Sequence, residues 1–128
     1  MILADTDCMI DFLKRKDPAN SRVRTAFVAK ELAVSAVTAY ELYFGEPSGP
    51  GRADLDRLLG EIDVLEVTHA RAAIAAEHGA ALARAGMRLA VPDLLIAGTA
   101  IEADLPLITR NVRHFSRVPG LKIIDPAN

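Results

Sequence analysis

The chain has very little with which to staple itself. Its 128 residues include a single cysteine, Cys8, so an internal disulfide is excluded and a reducing compartment is expected. Tryptophan is absent, and two tyrosines and four phenylalanines are all the aromatic residues present, too few for a stacking platform under single-stranded nucleic acid. No apolar run approaches the roughly 20 residues that a membrane-spanning helix needs, and the N-terminus lacks the basic-then-apolar pattern of a signal peptide. A cytoplasmic protein without membrane association is therefore expected. Neither sign of charge dominates. Lys and Arg total 15 against 17 Asp and Glu, for a net charge of −2, which excludes a uniformly basic nucleic-acid binder but leaves room for a basic rim around an acidic centre. Repeats and low-complexity segments are missing too.

What the chain does have is apolar bulk. Hydrophobic residues make up 51% of it, which argues against disorder, and the length suits a single domain over residues 1–128 with its own core. Short apolar runs with polar ends, at Ile2–Ala4, Glu31–Ala36, Ile62–Val67, Leu105–Thr109 and Leu121–Ile124, read as five strands. Helical patterns fill the gaps. Asp7 is placed to cap a short helix with Ile10 and Leu13 inward. Asn20 or Ser21 caps a second helix to Lys30, with Val23, Phe27 and Val28 buried. A third opens at Thr38, carries Leu42 and Phe44, and stops at Gly45. Residues 46–51 read as a surface loop, followed by a helix over 52–60. Thr68 caps an Ala-rich helix from His69 to Ala85, whose small side chains allow another helix close by. Pro92 and Asp93 open a helix through Ala103, and residues 110–115 read as a turn or short helix. Strands alternating with helices imply a three-layer α/β/α sandwich on a parallel sheet of four to five strands.

Three carboxylates fall where such a sheet collects function. Asp5 ends the first strand, Glu41 lies in the helix after the second, and Asp93 starts the helix before the fourth. Thr109, Arg110 and Asn111 follow the fourth strand. If strands one and four are neighbours at the topological switch point, all of these border one crevice. Clustered carboxylates repel unless a cation neutralises them, and a set of oxygen ligands without Cys or His suits Mg²⁺ better than zinc. Each acid also has a plainer role. Thr38 and Glu41 fit a capping box, Asp93 favours a helix dipole, Asp11 fits a solvated helix face, and Asn111 fits a turn. Asp5 is harder to dismiss, because a carboxylate directly after a buried run needs a partner. Cys8 fits a small buried hydrophobe, with a thiol pKa raised by the adjacent acids.

Four segments together resemble one family: Ala4-Asp5-Thr6, Ser35-Ala36-Val37-Thr38-Ala39-Tyr40-Glu41-Leu42, Pro92-Asp93-Leu94-Leu95-Ile96-Ala97, and Thr109-Arg110-Asn111-Val112-Arg113-His114-Phe115. In order and separation they resemble the PIN-domain family, and in particular VapC-type toxins of bacterial toxin–antitoxin pairs. The resemblance spans the whole chain. It implies sheet order 3-2-1-4-5 and an endoribonuclease dependent on Mg²⁺ or Mn²⁺. Asp5, Glu41 and Asp93 would form the acidic, metal-holding site with Asn111 as a further catalytic position, and Thr6 and Thr109 would support it by hydrogen bonds. A small VapB-like antitoxin, an RNA substrate and a homodimer are the implied partners. The helices at Asn20–Lys30 and Tyr40–Gly45 are the candidate antitoxin groove.

The chain departs from the pattern in three places. Asp7 stands where many members have Asn, His114 where many have an acid, and Asn111 where others carry Asp. The last two lower the negative charge on one side, so one tight Mg²⁺ is expected, with any weaker second ion arriving with the RNA phosphate. No histidine pair is placed to activate a 2′-hydroxyl, so the expected chemistry is hydrolysis by a metal-activated water oriented by Asp5 or Asp93. Arg110, Arg113 and Arg117 would guide the RNA backbone. Two alternatives compete. Asp5-Thr6-Asp7 also fits the opening of a haloacid-dehalogenase-like phosphatase with Asp5 as nucleophile, although Met9 is out of pattern and Lys122 is the only late lysine. The other alternative is a PIN-like domain that binds RNA or a partner without cutting.

Overall fold

A computed structural model describes residues 1–128. The elements run β1 (Ile2–Ala4), α1 (Thr6–Leu13), α2 (Ala19–Val28), β2 (Leu32–Ser35), α3 (Ala36–Gly45) and α4 (Gly49–Gly60). They continue with β3 (Asp63–Leu65), α5 (His69–Arg84), α6 (Val91–Glu102), β4 (Leu107–Ile108), α7 (Val112–Phe115) and β5 (Ile123–Ile124). One five-stranded sheet has the order β3-β2-β1-β4-β5, and all four pairings are parallel. The α/β/α sandwich and its strand order are as expected. No helix is long and apolar enough to cross a membrane.

The strands are short and almost wholly apolar because both faces of the sheet are covered. Successive side chains point to opposite faces. Ala4, Val34 and Ile108 join one core with Cys8, Met9, Val23, Leu42, Leu55 and Leu59 from α1 to α4. Leu3, Ala33 and Leu107 join the other with Leu82, Ile96, Ala100 and Phe115 from α5 to α7. The small residues of α5 do allow a close neighbour. A Cβ on Gly98 of α6 would lie 2.6 Å from the Arg71 carbonyl oxygen and 3.0 Å from the Ala75 amide nitrogen of α5.

Helix starts moved most. α1 is capped by Asp5, whose side chain accepts from the Thr6 amide, and not by Asp7. Starting the helix earlier turns a different face inward. Cys8 and Met9 are fully buried, while Ile10 and Leu13 are 37% and 44% exposed. Asp11 is also buried, contrary to its expected solvated place, and its carboxylate meets Arg110 Nε at 2.8 Å. In α2 neither Asn20 nor Ser21 is the cap. Asp17 Oδ1 accepts from both the Ser21 amide and its hydroxyl, and Asn20 is buried inside the helix. Val28, in the last turn of α2, is 75% exposed, as is Phe44 near the end of α3. α3 starts at Ala36 with Ser35 as its cap, so Thr38 is a helical residue and no capping box with Glu41 forms. α4 takes in part of the expected loop, with Pro50 in its first turn where a missing N–H is harmless. Thr68 caps α5 as expected, accepting from the Arg71 amide.

Candidate active site

The register lines up the carboxyl ends of the three central strands. Ala4 pairs with Ile108 and Leu3 with Ala33, so Asp5 continues beside Ser35 and Thr109, and its own amide donates to the Ile108 carbonyl. Each strand ends where its apolar run ends. Asp5 and Ser35 at once become helix caps, which turns the chain away from the sheet and leaves a rim of polar side chains.

Asp5 is the centre of that rim. It is buried, and both oxygens are engaged: Oδ1 accepts from the Thr6 amide at 2.8 Å and Oδ2 from the Thr109 hydroxyl at 2.7 Å. Those bonds favour the charged form, but burial first and the charge of Asp7 second outweigh them and hold the carboxyl up at about 7. Asp93 adds to the same repulsion. Asp93, in the first turn of α6, is half-buried and also pushed up, by burial, then by Glu41 and Asp7, with His114 opposing.

Glu41 is held through hydroxyls. Its Oε1 accepts from Thr6 Oγ1 at 2.6 Å, and Thr6 Oγ1 lies 3.0 Å from Thr38 Oγ1. A carboxylate can only accept, so the single Thr6 proton goes to Glu41 and Thr38 donates to Thr6. The structure thus brings Asp5, Glu41, Asp93, Thr6 and Thr109 to one rim. Thr38 is a support that capping-box logic hid, although its spacing of three from Glu41 puts both on one helix face.

Of the residues after β4, Asn111 and Arg110 are engaged within the protein itself. The Asn111 amide donates to Thr109 Oγ1, and its side-chain oxygen is taken up by His114 Nδ1. Arg110 is ion-paired with Asp11, which ties this loop to α1. Arg113 is exposed and Arg117 half-buried. Cys8 is fully buried, and burial together with Asp7 pushes its thiol far up, leaving no nucleophile there. Lys122 bonds Asp104. It precedes β5 and so lies at the amino ends of a parallel sheet, opposite the rim, where it is useless to a phosphatase centred on Asp5.

The donors at the rim are all oxygens, the chemistry of a hard cation. Asp7 adds an oxygen, Oδ1, that is shut off from solvent with no hydrogen-bond partner, as a group awaiting a positive charge would be. The expected trio does not form a closed cage, however. No three His, Cys, Asp or Glu side chains converge on one point fit for a metal. Mg²⁺ needs no such cage, because it keeps several waters and is held by one or two carboxylates with substrate phosphate. On that ground the residues fit.

Comparison with known proteins agrees with the fold. The PIN domain family model matches residues 2–121. The tRNA(fMet)-specific endonuclease VapC of Shigella flexneri is 35% identical over 127 residues, covering 96% of each chain. Ribonuclease VapC10 of Mycobacterium tuberculosis is 34% identical over 122 residues, 95% of this chain and 91% of that one. Among solved structures, the DNA-bound VapBC of Salmonella typhimurium superposes with a TM-score of 0.82 at 26% identity, over 98% of this chain and 99% of its own. FitAcB of Neisseria gonorrhoeae shares the fold with a TM-score of 0.84 at 23% identity, over 100% and 99%. A parallel sheet in the order 3-2-1-4-5, acids at its carboxyl rim and a family match across almost the whole chain lead to one conclusion: the protein belongs to the PIN-domain family.

Proposed function

We propose that the protein is a VapC-type toxin, an endoribonuclease dependent on Mg²⁺ or Mn²⁺ that hydrolyses RNA phosphodiester bonds, with residues 1–128 as one nuclease domain acting in the cytoplasm. The observation that carries this is the state of Asp5. A buried carboxylate fixed by two donors and still raised to about 7 by its surroundings is a site short of positive charge. A divalent cation supplies it, and with it both acidification of water and stabilisation of charge developing on phosphate.

The chain's own residues would divide the work. Asp5, Asp93 and Glu41 are the carboxylates that would hold the cation. Thr109 and the Thr6 amide lock the Asp5 carboxylate in one orientation, and the Thr6 and Thr38 hydroxyls do the same for Glu41. Asn111 acts through the loop it stabilises against Thr109. Arg113 and Arg117 are free to meet phosphate, whereas Arg110 must first leave Asp11. No Cys or His is placed as a nucleophile, which favours water as the attacking group.

The partner we propose is a VapB-like antitoxin, since the matching structures include a VapBC of Salmonella typhimurium and a toxin–antitoxin complex of Klebsiella pneumoniae. A groove of about 480 Å³ runs beside Glu41, lined by Ile10, Leu13, Lys14, Leu42 and Leu55. It lies among α1, α3 and α4, so α2 (the expected Asn20–Lys30 wall) is not part of it, and the outward Ile10 and Leu13 are explained. An apolar antitoxin segment laid here would end at the acidic rim. The exposed pair Tyr40 and Phe44, ring centroids 6.0 Å apart, is the natural face for a homodimer.

The test is cleavage of a broad RNA pool by the purified protein with Mg²⁺ or Mn²⁺, with EDTA, and with Asp5→Asn and Asp93→Asn. Metal-dependent cutting lost in both variants supports the proposal. Binding of metal and RNA without cutting would leave a non-cleaving PIN-like module.

A further inference from the structure

Asp7 is the one side chain at the rim whose bonding the fold leaves unfinished. It stands in the first turn of α1, two residues past the Asp5 cap. Its Oδ1 is the only buried side-chain oxygen or nitrogen in the protein without a hydrogen-bond partner. A carboxylate oxygen removed from water and given no donor is costly, far more so than a neutral group. A role in offsetting the α1 dipole explains an acid in this turn. It does not explain burying that acid's oxygen, because an exposed carboxylate meets the dipole equally well.

The nearby donors are committed elsewhere. The Thr6 amide and the Thr109 hydroxyl go to Asp5. The Thr6 hydroxyl goes to Glu41. The Arg110 guanidinium goes to Asp11. The Cys8 thiol lies against the Asp7 carboxyl, but it is a weak donor and leaves Oδ1 unpartnered. Two acids stand near it as well, since Asp7 is close enough to Asp5 and Asp93 to act on the charge of both. Nothing in the chain itself is positioned to balance this oxygen.

Resting on the nuclease reading above, we propose that Asp7 is a further cation-facing carboxylate, whose buried Oδ1 helps to hold the divalent ion against Asp5. The chain then carries its fourth acid on the first turn of α1, while the loop after β4 offers the neutral Asn111, already taken by His114. This gives Asp7 a negative charge toward the ion that an amide of the same shape does not carry.

The experiment is Mn²⁺ titration of the full chain without RNA, with free Mn²⁺ followed by electron paramagnetic resonance. Wild type, Asp7→Asn, Asp7→Ser and Asp5→Asn are compared, each checked for folding by its circular dichroism melt in EDTA. Asp7→Asn and Asp7→Ser are expected to weaken Mn²⁺ binding about tenfold or more, with melting midpoints in EDTA unchanged or raised. If both variants fold and bind Mn²⁺ as tightly as wild type, the Asp7 proposal is overturned. Should Asp5→Asn abolish binding in that same experiment, the nuclease reading survives alone. A wild-type protein that binds no Mn²⁺ sinks both.

Discussion

The Thr109 hydroxyl donates to Asp5 Oδ2 at 2.7 Å, joining two residues 104 positions apart in the chain. Both are buried, and Thr109 also accepts from the Asn111 amide, so one hydroxyl sets the carboxylate and the loop after β4 together. Replacing it with an isosteric apolar group, Thr109→Val, removes a bond that favours the charged form of Asp5. The apparent acid limb of the cleavage pH profile should move to higher pH, and stability should fall by about 1–3 kcal/mol in urea titration. Thr109→Ser should restore both. An unchanged profile in Thr109→Val would show that Asp5 is oriented by something else.

Asp5 also fixes the sign of a stability trend. Its folded pKa of about 7 stands above its ordinary 3.8, so between those values the folded chain holds a proton that the unfolded chain has released. The linked stability is fully present below about 3.8 and is lost as pH rises through about 7, by up to about 1.4 kcal/mol per pH unit. Asp17 and Asp56 have lowered pKa values, so their contributions disappear only in stronger acid and do not mask the trend. Melting in EDTA should therefore occur at lower temperature near pH 8 than near pH 5. Added Mg²⁺ should raise the midpoint chiefly at the higher pH. Stability that climbs steadily with pH would contradict the burial of Asp5.

Asp5→Asn should separate stability from activity. The amide keeps the shape and an acceptor for the Thr6 N–H, and Thr109 Oγ1 can accept as well as donate. Near pH 8 in EDTA the variant should melt above wild type, and its dependence on pH through the neutral range should flatten. Its RNA cleavage should fall at least about 100-fold, the upper end of what loss of a metal-site partner costs. A variant both weaker in the fold and normal in cleavage would reverse the assignment.

Arg110 and Arg113 should differ in kind. Arg110 partners the buried Asp11, so Arg110→Ala strands that carboxylate and should lower thermal stability, while Asp11→Asn with Arg110→Ala should recover part of the loss. Arg113 is exposed and carries no ion pair, so Arg113→Ala should leave melting unchanged and raise KM for RNA, with a shallower salt dependence. Equal effects of the two substitutions on melting would refute the distinction.

The sheet and its acids were legible in the sequence because both depend on local pattern. Short apolar runs with abrupt polar ends placed Asp5, and alternation of strands with helices gave the parallel sheet. Asp5, Thr6, Glu41 and Thr109 come together because each lies at a strand end or in the helix leaving it, and Asp93 joins them because it begins the helix that leads into β4. What escaped the sequence depends on rotation and on distant partners. Asp5 serves as both rim carboxylate and helix cap, which shifts the start of α1 and turns Ile10 and Leu13 outward. Asp11 looks solvated until Arg110, almost a hundred residues later, is folded against it. Thr38 looks like a cap until Ser35 takes that place and leaves the Thr38 hydroxyl to Thr6.

The contact at Gly98 reaches further than the packing it permits. Asp93 lies five residues earlier on the same helix, about 7.5 Å along its axis, and α6 at Gly98 rests against the backbone of α5 with no side chain between. A methyl group there, as in Gly98→Ala, would wedge the two helices apart and tilt the end that carries Asp93. The acid's placement is thus set by a hinge-free lever whose fulcrum is a missing side chain, so the geometry of the rim is exposed to changes on the far side of the sheet that never touch it.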